Sequence, residues 1–434
     1  MIIKNAIFSI LIFIIMGCSF NEITSIFKEK EVRLPGKREN VFDFKDDIIV
    51  KANKRILIDK PAAINSWSQQ FHNSKNHLFH FKSKPVLKLQ RKISLGNILF
   101  DKINLIVQPV NLGENIFYAD KDFNIISRNY LNGKLNWKVN LESEKKEKIL
   151  FLGGMSLDGN SLVVTSGLGN IYLIDSNTGK KQWKKNFLVQ FSRPPLIFKN
   201  KVFAVSDDNQ TFCLNLKNGE VIWNHIGNLE EVSIIGGSKP AAIDNTVVLS
   251  YSSGEIYALD ENDGSLIWFD NVGSSNYFSR SALNDIQSPL SIVKDKVYSP
   301  TFSDKLLVYD INEGSKLWEL KISSINQVII SGEALYIIDT FGKLLCLDSK
   351  TGKLLWAVQL KTNYDGEEIR WFGPLLTSNK LLVANSFGTI LSLSPFTGKT
   401  LSKLNMDEEF VLRPFQIKNE VLFITKKGTF IIVC

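Results

Sequence analysis

The chain has 434 residues, of which 44% are hydrophobic, and carries a formal net charge of +8 at neutral pH. The hydrophobic content is ordinary for a globular protein, and the surplus lysines are scattered along the chain instead of forming a basic run. A diffuse surplus is typical of a solvated surface, so these numbers disfavour a nucleic-acid-binding protein.

Residues 1–17 have the pattern of a secretory signal sequence. Lys4 precedes an apolar run that is too short to span a bilayer comfortably. The run ends in Ile-Met-Gly before Cys18, which resembles the lipobox of bacterial lipoproteins, where cleavage precedes a cysteine that receives lipid. The resemblance implies lipidation of Cys18, and Ser19 after it implies release to the outer membrane; the alternative is a plain signal with an incidental cysteine.

Residues 18–65 are polar and charged and contain no repeat, and we interpret them as a lipidated tether followed by an arm that packs on the body. The next segment holds His72, His77 and His80 within nine residues. This spacing fits no standard zinc site, and no carboxylate or cysteine cluster accompanies the three rings. We therefore interpret them as packing residues and predict no metal site.

One motif then occurs seven times, and its clearest copy runs from Asp348 through Gly352 to Trp356. Aspartate or asparagine can fold its side chain onto backbone N–H groups of a turn, and glycine accepts a positive φ, so the motif predicts a hairpin connection. The tryptophan begins the strand after the turn. The glycines are Gly133, Gly179, Gly219, Gly264, Gly314, Gly352 and Gly398, and the residues four positions later are Trp137, Trp183, Trp223, Trp268, Trp318, Trp356 and Ser402.

The steps between these glycines range from 38 to 50 residues, and each period holds four short apolar segments that read as strands. Four strands per period of this length indicate β-propeller blades. Because one blade cannot bury both of its faces, the blades must stack around an axis. We expect the tryptophans to be buried between neighbouring blades.

Two incomplete sets of strands remain at the ends of the body. Residues 85–95 alternate like an outer strand without a hairpin partner, and residues 411–434 supply three strands without a fourth. Pairing the two sets would close the ring and remove its exposed edges. The sequence thus predicts an all-β fold over 66–434: an eight-bladed β-propeller of four-stranded antiparallel blades whose last blade is closed by an N-terminal strand. The predicted blades are 104–140, 151–187, 195–227, 232–270, 285–321, 326–361, 369–404, and 411–434 with 86–95.

Two cysteines of the repeat region, Cys213 and Cys346, occupy the same strand position in different blades. Equivalent positions in separate blades are unsuited to a disulfide bond, since they lie too far apart. We expect both to be small buried thiols.

The repeats resemble those of pyrroloquinoline quinone (PQQ)-type propellers, a superfamily of enzymes and non-enzymes. Residues 18–434 resemble the BamB family, the propeller lipoproteins of the outer-membrane β-barrel assembly machinery. The supporting segments are the lipobox, the run from Trp67 to Asn73, the run from Tyr251 to Leu259, and the run from Asp285 to Pro289. The resemblance implies a scaffold without a cofactor at the periplasmic face of the outer membrane. Its implied partners are the periplasmic domains of the BamA-type barrel-assembly protein and its complex, with unfolded outer-membrane proteins as candidate substrates.

The same resemblance implies a partner-binding loop. In the family this loop holds two apolar residues flanking a serine, then arginine and Gly-x-Ser-x-Pro, and the matching residues here are Val232, Ser233, Ile234 and Ile235, followed by Gly-Gly-Ser-Lys-Pro. Ile235 replaces the arginine, which puts a charge-assisted contact in doubt. Asp285 matches an acidic position on the same partner-facing side. The alternative is that the run from Val232 is simply the first strand of the fourth blade.

Two other classes of function are alternatives to the scaffold. A periplasmic PQQ-dependent dehydrogenase-like or ligand-binding propeller is the main alternative, and a cell-envelope adhesin or glycan binder is another. By resemblance, the dehydrogenases carry adjacent cysteines beneath the quinone, and this chain has none; it also has no Ser/His/Asp arrangement in the repeats and no phosphate loop. The adjacent carboxylates Asp207-Asp208 and Glu367-Glu368 are expected to face solvent. We therefore predict no catalytic residues.

Overall fold

The structure is a computed structural model that describes residues 55–84, 87–98, 106–141, 151–229, 236–272, 288–301 and 304–433. All of these belong to one compact unit, Asp46–Cys434. Regular secondary structure in the described ranges is entirely β. None of these ranges contains a helix long and apolar enough to cross a membrane.

The described strands form eight four-stranded antiparallel sheets, which are the blades of a β-propeller. The first four blades, from first to outer strand, are Val110–Leu112, Asn115–Ala119, Asn124–Asn129, Leu135–Asn140; Leu152–Asp158, Ser161–Ser166, Asn170–Asp175, Lys181–Asn186; Leu196–Phe198, Lys201–Val205, Gln210–Asn215, Val221–Ile226; and Ala241–Ile243, Thr246–Ser250, Glu255–Asp260, Leu266–Asn271. The last four are Ser291–Val293, Lys296–Pro300, Leu306–Asp310, Lys316–Leu320; Ile329–Ser331, Ala334–Ile338, Lys343–Asp348, Leu354–Gln359; Trp371–Thr377, Lys380–Asn385, Thr389–Leu393, Thr400–Asn405; and Phe415–Ile417, Glu420–Ile424, Thr429–Val433, Leu89–Ser94. A short strand, Ser66–Trp67, adds to the inner edge of blade 1, and a hairpin, Asn363–Tyr364 with Glu367–Glu368, lies between blades 6 and 7.

The predicted fold and its closure are confirmed. Leu89–Ser94 pairs antiparallel with Thr429–Val433 and supplies the outer strand of blade 8. The predicted starts of the blades were too early, because the first strand is only three residues long in most blades. Blade 4 starts at Ala241, so the interpretation of the run from Val232 as its first strand is wrong.

The recurrent turns have the predicted geometry. In the sixth copy, Asp348 Oδ1 accepts hydrogen bonds from the backbone N–H of Lys350 (3.1 Å) and of Thr351 (3.0 Å) and from the Thr351 hydroxyl (3.0 Å). Gly352 follows with φ of 73°. The side chain of the first residue therefore holds the turn, and the glycine adopts the left-handed conformation that closes it.

Each tryptophan contacts the turn of the next blade. The Trp268 indole N–H donates to the carbonyl of Ile311 at 2.6 Å, and a Cβ added to Gly314 would lie 2.5 Å from the indole ring. Glycine is thus required at this position for its φ and also because the indole of the preceding blade occupies the space of a side chain. The same close approach of ring to glycine joins Trp137 with Gly179, Trp183 with Gly219, Trp223 with Gly264, Trp318 with Gly352, and Trp356 with Gly398.

The seam between blades 8 and 1 uses arginine in place of tryptophan. The register of the outer strand puts Arg91 at the position that tryptophan occupies in other blades. Its guanidinium donates to the carbonyl of Leu131 (2.9 Å) and to Glu420 (2.9 Å), and it lies 5.3 Å from the ring centre of Tyr130. Serine replaces tryptophan at position 402 of blade 7. The third and outer strands of blade 8 come from opposite ends of the chain, so no turn joins them and an indole at position 402 would have no turn to contact.

Residues 55–84 form a segment that we call the axial belt. It hydrogen-bonds to the first strand of every blade, or to a residue adjoining it, through Trp67 with Asn111, Ser68 with Leu157, Gln69 with Ile197, Ser74 with Ala242, Lys75 with Ile292, Leu78 with Ile330, Phe81 with Leu376, and Lys82 with Gln416. The belt therefore satisfies backbone groups at the inner edges of the blades, where an unpaired group would be costly.

The three belt histidines make packing contacts. His72 is buried and meets the Trp67 ring edge-on at 5.0 Å, and burial lowers the pKa of His72 to about 3. His80 contacts the carbonyl of Asp59 at 2.6 Å and accepts from the N–H of Asn379 at 2.9 Å. Within the described ranges, no group of three or more His, Cys, Asp or Glu side chains is placed to hold a metal ion.

The two repeat cysteines are buried and free, as predicted. Burial raises the pKa of the Cys213 thiol to about 12, and it also raises the pKa of Cys346. Both therefore act as small apolar core residues.

Candidate partner-binding rim

The antiparallel blades give the ring two rims, which are formed by different connections between strands. Turns between first and second strands, and the recurrent turns between third and outer strands, lie on one rim, which we call the turn rim. Connections between second and third strands, and between consecutive blades, lie on the other, which we call the loop rim. Residues 230–235 connect blade 3 to blade 4, and residues 273–287 connect blade 4 to blade 5, so both segments begin and end on the loop rim.

The predicted contact residues lie in these two connections and outside the described residues, as does the predicted lipidation site Cys18. The contact residues are Val232, Ser233, Ile234, Ile235 and Asp285. The structure describes the residues from which each connection starts and to which it returns, and we call these residues its roots.

The first root of 230–235 is held by a buried carboxylate. Glu255, at the start of the third strand of blade 4, is 1% exposed. It accepts the backbone N–H of Asn228 at 2.9 Å and the side-chain amide of the same residue, while Asn209 donates to the carbonyl of Asn228 at 2.7 Å. Charge-assisted hydrogen bonds of this kind are the stronger ones, so the chain leaves blade 3 from a fixed point.

Aromatic rings surround this carboxylate. Tyr257 donates to Glu255 at 3.1 Å, and burial together with that carboxylate raises the pKa of Tyr257 to about 12. His225 lies 4.4 Å from the Tyr257 ring and 2.9 Å, measured from Nδ1, from the Tyr251 hydroxyl. Burial lowers the pKa of His225, so the ring is neutral at physiological pH. The group is a packed polar network below the rim.

The second root of 230–235 is held by a serine and an aspartate. The N–H of Gly236 donates to Ser192 Oγ at 2.9 Å, and the Ser192 hydroxyl and N–H both donate to Asp207. Burial raises the pKa of Asp207. The expectation that the Asp207-Asp208 pair faces solvent is therefore wrong for Asp207, because its carboxylate receives hydrogen bonds from the neighbouring connection; Glu367-Glu368 is exposed as expected.

The two connections share a support. The backbone N–H of Leu290 contacts Ser238 Oγ at 3.3 Å, which joins the end of 273–287 to the end of 230–235. The next residue, Lys239, is fully buried and donates to Gln69 Oε1 (2.8 Å) and the carbonyl of Asn73 (3.2 Å) of the axial belt. Burial lowers the pKa of Lys239 well below its usual value. Sequence reasoning missed this role, because a lysine between serine and proline looks like an exposed loop residue.

The loop rim also carries the most exposed large apolar side chains of the described residues. Leu188 is 93% exposed in the connection from blade 2 to blade 3, and Leu229 is 74% exposed next to 230–235. Phe341 is 68% exposed farther round the same rim. All three therefore project from the rim on which the predicted contact segments begin and end.

Comparison with known proteins identifies the family. A family model described as outer membrane protein assembly factor BamB matches residues 121–358 and 344–433, which together are more than half of the chain. The chain belongs to the BamB family. The outer membrane protein assembly factor BamB of Yersinia pestis is 22% identical over 331 residues, covering 74% of this chain and 83% of that protein.

Solved structures show the same fold. The crystal structure of BamB from Moraxella catarrhalis superposes with a TM-score of 0.68 at 21% identity, over 80% of this chain and 99% of that one. A europium-containing methanol dehydrogenase superposes with a TM-score of 0.63 at 11% identity, over 83% of this chain and 89% of that one. At these identities the likeness concerns the propeller fold and says nothing of the chemistry.

Proposed function

We propose that this BamB-family chain is a non-catalytic scaffold of the outer-membrane β-barrel assembly machinery. In this proposal the loop rim at blades 3 and 4 binds the periplasmic domains of the BamA-type barrel-assembly protein. Val232, Ser233, Ile234 and Ile235 make the contact, with Asp285 beside them. The family membership supports the assembly role, and the loop rim supports the contact site.

The main support for this contact site is the set of hydrogen bonds that fix its roots. Asn228 is fixed by Glu255, Gly236 is fixed by Ser192 and Asp207, and Ser238 joins the neighbouring connection. A connection with fixed ends loses less conformational entropy on binding than one with free ends, which favours affinity. The buried network serves to position the connections.

The axial belt supports a non-catalytic role. The resemblance to PQQ-type dehydrogenases implies a quinone at the central funnel of the propeller for the alternative function. Here the inner edges of all eight blades hydrogen-bond to residues 55–84 of the same chain. The belt occupies the surface that an axial ligand would use, so the axis serves closure of the ring.

Lipidation at Cys18 would hold this scaffold at the periplasmic face of the outer membrane. Several acyl chains on one cysteine anchor a protein far more firmly than one chain does. A Cys18→Ala protein is expected in the soluble periplasmic fraction, with the wild type in the outer-membrane fraction. Unaltered membrane retention of the variant would refute lipidation as the anchor.

The contact site is tested by recovery of partners from detergent-solubilised membranes. We expect the double variant Val232→Glu/Ile234→Glu to recover at least ten-fold less barrel-assembly protein than the wild type, because two buried charges at an apolar contact are costly. Leu131→Glu places the same change at an exposed residue of the turn rim and should recover the normal amount. Undiminished recovery by the double variant would remove these residues from the site.

A further inference from the structure

A cavity opens on the loop rim at blade 7. Its volume is about 450 Å³, within the usual range for ligand sites. The hairpin between blades 6 and 7 forms one wall, and the connection from blade 7 to blade 8 forms the other. Blade 7 is four blades away from blade 3 in a ring of eight. The cavity therefore lies across the ring from Asn228 and Gly236, the roots of the connection between blades 3 and 4, and nothing above assigns it a role.

The hairpin wall is aromatic. Tyr364 is half exposed, and its ring lies 5.3 Å from the ring of Phe387 at an angle of 43°. Asp365 and Gly366 have positive φ values of 49° and 85°, which are those of a tight two-residue hairpin turn. The Lys361 ammonium lies 4.9 Å from the centre of the Tyr364 ring. The two rings are thus held side by side in the lining of the cavity, which also includes Met406.

The remaining lining is charged and carries both signs. Lys403 comes from the outer strand of blade 7, and Asp407 and Glu408 come from the connection to blade 8. The Lys92 ammonium donates to Glu408 at 2.8 Å and lowers the pKa of that carboxyl, so Glu408 is ionised at neutral pH. The cavity therefore offers cationic donors and anionic acceptors beside the two aromatic rings. Backbone amides, which have one donor and one acceptor per residue, match such a lining.

A free sheet edge leads into the cavity. The outer strand of blade 7, Thr400–Asn405, is the last strand of its sheet, and the described residues place no further strand on its outer side. Lys403 near the end of this strand lines the cavity. Extended peptides bind by pairing with such an edge, with side-chain pockets supplying specificity. A peptide paired with Thr400–Asn405 would continue into the cavity, whereas a sugar would not use the edge.

We propose that this cavity binds an extended peptide segment of a partner or client protein and packs one aromatic side chain against the exposed Tyr364 ring, beside Phe387. The site lies at blade 7, whereas Asn228 and Gly236 lie at the connection between blades 3 and 4, so the two sites occupy different parts of the rim. Two contact sites on one rim bind a common partner more tightly than either alone, provided that the partner spans both. A soluble oligosaccharide is the competing ligand, and the experiment distinguishes it.

Methionine methyl NMR tests the site directly. Of the four methionines in the chain, Met406 lines the cavity and Met155 is buried in blade 2. The full chain, labelled with ¹³C at its methionine methyl groups, is titrated with a capped hexapeptide that alternates tyrosine and threonine. We expect the Met406 signal to shift saturably and the Met155 signal to stay in place. The same peptide with serine in place of tyrosine should produce no shift.

Substitutions then assign the binding to the aromatic wall. Tyr364→Ala is expected to weaken peptide binding about five-fold, the size of one aromatic stacking contact. Phe396→Ala removes a comparably exposed aromatic ring from the turn rim of the same blade and should leave binding unchanged. An unmoved Met155 signal in both variants shows that the propeller is intact.

Three results would overturn the proposal. They are an unmoved Met406 signal at millimolar peptide, unchanged peptide affinity in Tyr364→Ala, or a Met406 shift with chito-oligosaccharide and none with peptide. The titration uses no partner protein. Its outcome is therefore independent of the recovery experiment on Val232 and Ile234, and either proposal can fail without the other.

Discussion

The contact between glycine and tryptophan in neighbouring blades predicts that Gly314→Ala destabilises the propeller by more than its backbone cost. Gly314 has φ of +68°, which costs about 1–2 kcal/mol for an alanine. Its new Cβ would lie 2.5 Å from the Trp268 ring, and overpacking of this kind costs a further ~1–3 kcal/mol. We therefore expect a total loss of about 2–5 kcal/mol in the free energy of unfolding.

Gly133 provides a matched control. It occupies the same turn in blade 1 with φ of +72°, but a Cβ there would meet nothing within 4 Å, because no tryptophan precedes it across the seam. Gly133→Ala should cost only the backbone term, about 1–2 kcal/mol. The assay is urea unfolding followed by far-ultraviolet circular dichroism.

A double-mutant cycle separates the two terms for Gly314. In a Trp268→Leu background the ring is absent, so Gly314→Ala should cost about 1–2 kcal/mol, which makes the coupling between the two positions about 1–3 kcal/mol. Equal losses for Gly133→Ala and Gly314→Ala, or additive losses in the cycle, would refute the inter-blade contact as the reason for glycine.

Three further predictions concern the seam, the belt and the core thiols. Arg91→Met should lower the free energy of unfolding in urea by about 1–2 kcal/mol, because it removes a carbonyl hydrogen bond, a half-buried ion pair and a cation–π contact. The control Lys92→Met, at the neighbouring exposed ion pair, should lower it by less than about 0.5 kcal/mol. Equal losses in the two variants would contradict a special role of Arg91. Because burial lowers the pKa of His72 from 6.5 to about 3, the unfolded chain takes up the proton first as the pH falls, and stability should drop by about 1.4 kcal/mol per pH unit below 6.5. Between pH 7.5 and pH 5 the free energy of unfolding should therefore fall by about 2 kcal/mol more in the wild type than in His72→Gln. An equal fall in the two proteins would argue against a neutral buried ring. Cys213 and Cys346 should resist iodoacetamide at pH 8 in the folded protein and react in urea, as read by mass spectrometry of their peptides; rapid modification without urea would contradict their burial.

The ring was predictable because its signals repeat. A tryptophan four residues after a glycine marks the same turn in six blades, and the unmatched strands at the two ends leave one way to close the ring. Cys213 and Cys346 were also predictable as core residues, since they replace alanine or leucine at equivalent strand positions. Each of these inferences compares a position with its copies in other blades.

Features that occur once were harder to predict. The axial belt has no periodic pattern, because its residues contact eight different strands instead of one face of a sheet. Arg91 takes the place of a tryptophan only at the seam between blades 8 and 1. The turn motif does not precede this strand in the sequence, so the equivalence could not be recognised from spacing. The hairpin at Tyr364 did carry a signal, the Asp365-Gly366 pair that favours a two-residue turn, but its strands are only two residues long. The contact residues rested on family resemblance, and their assignment to a partner stays a proposal.

The central claim is that the loop rim, and not the turn rim, meets the barrel-assembly protein. Site-specific photo-crosslinking in intact cells tests this most directly, with the photoreactive residue placed at Leu229 on the loop rim or at Leu131 on the turn rim, both exposed. We predict a crosslink to the barrel-assembly protein from Leu229 and none from Leu131. Crosslinks from Leu131 alone would show that the partner binds the opposite rim and would contradict the account.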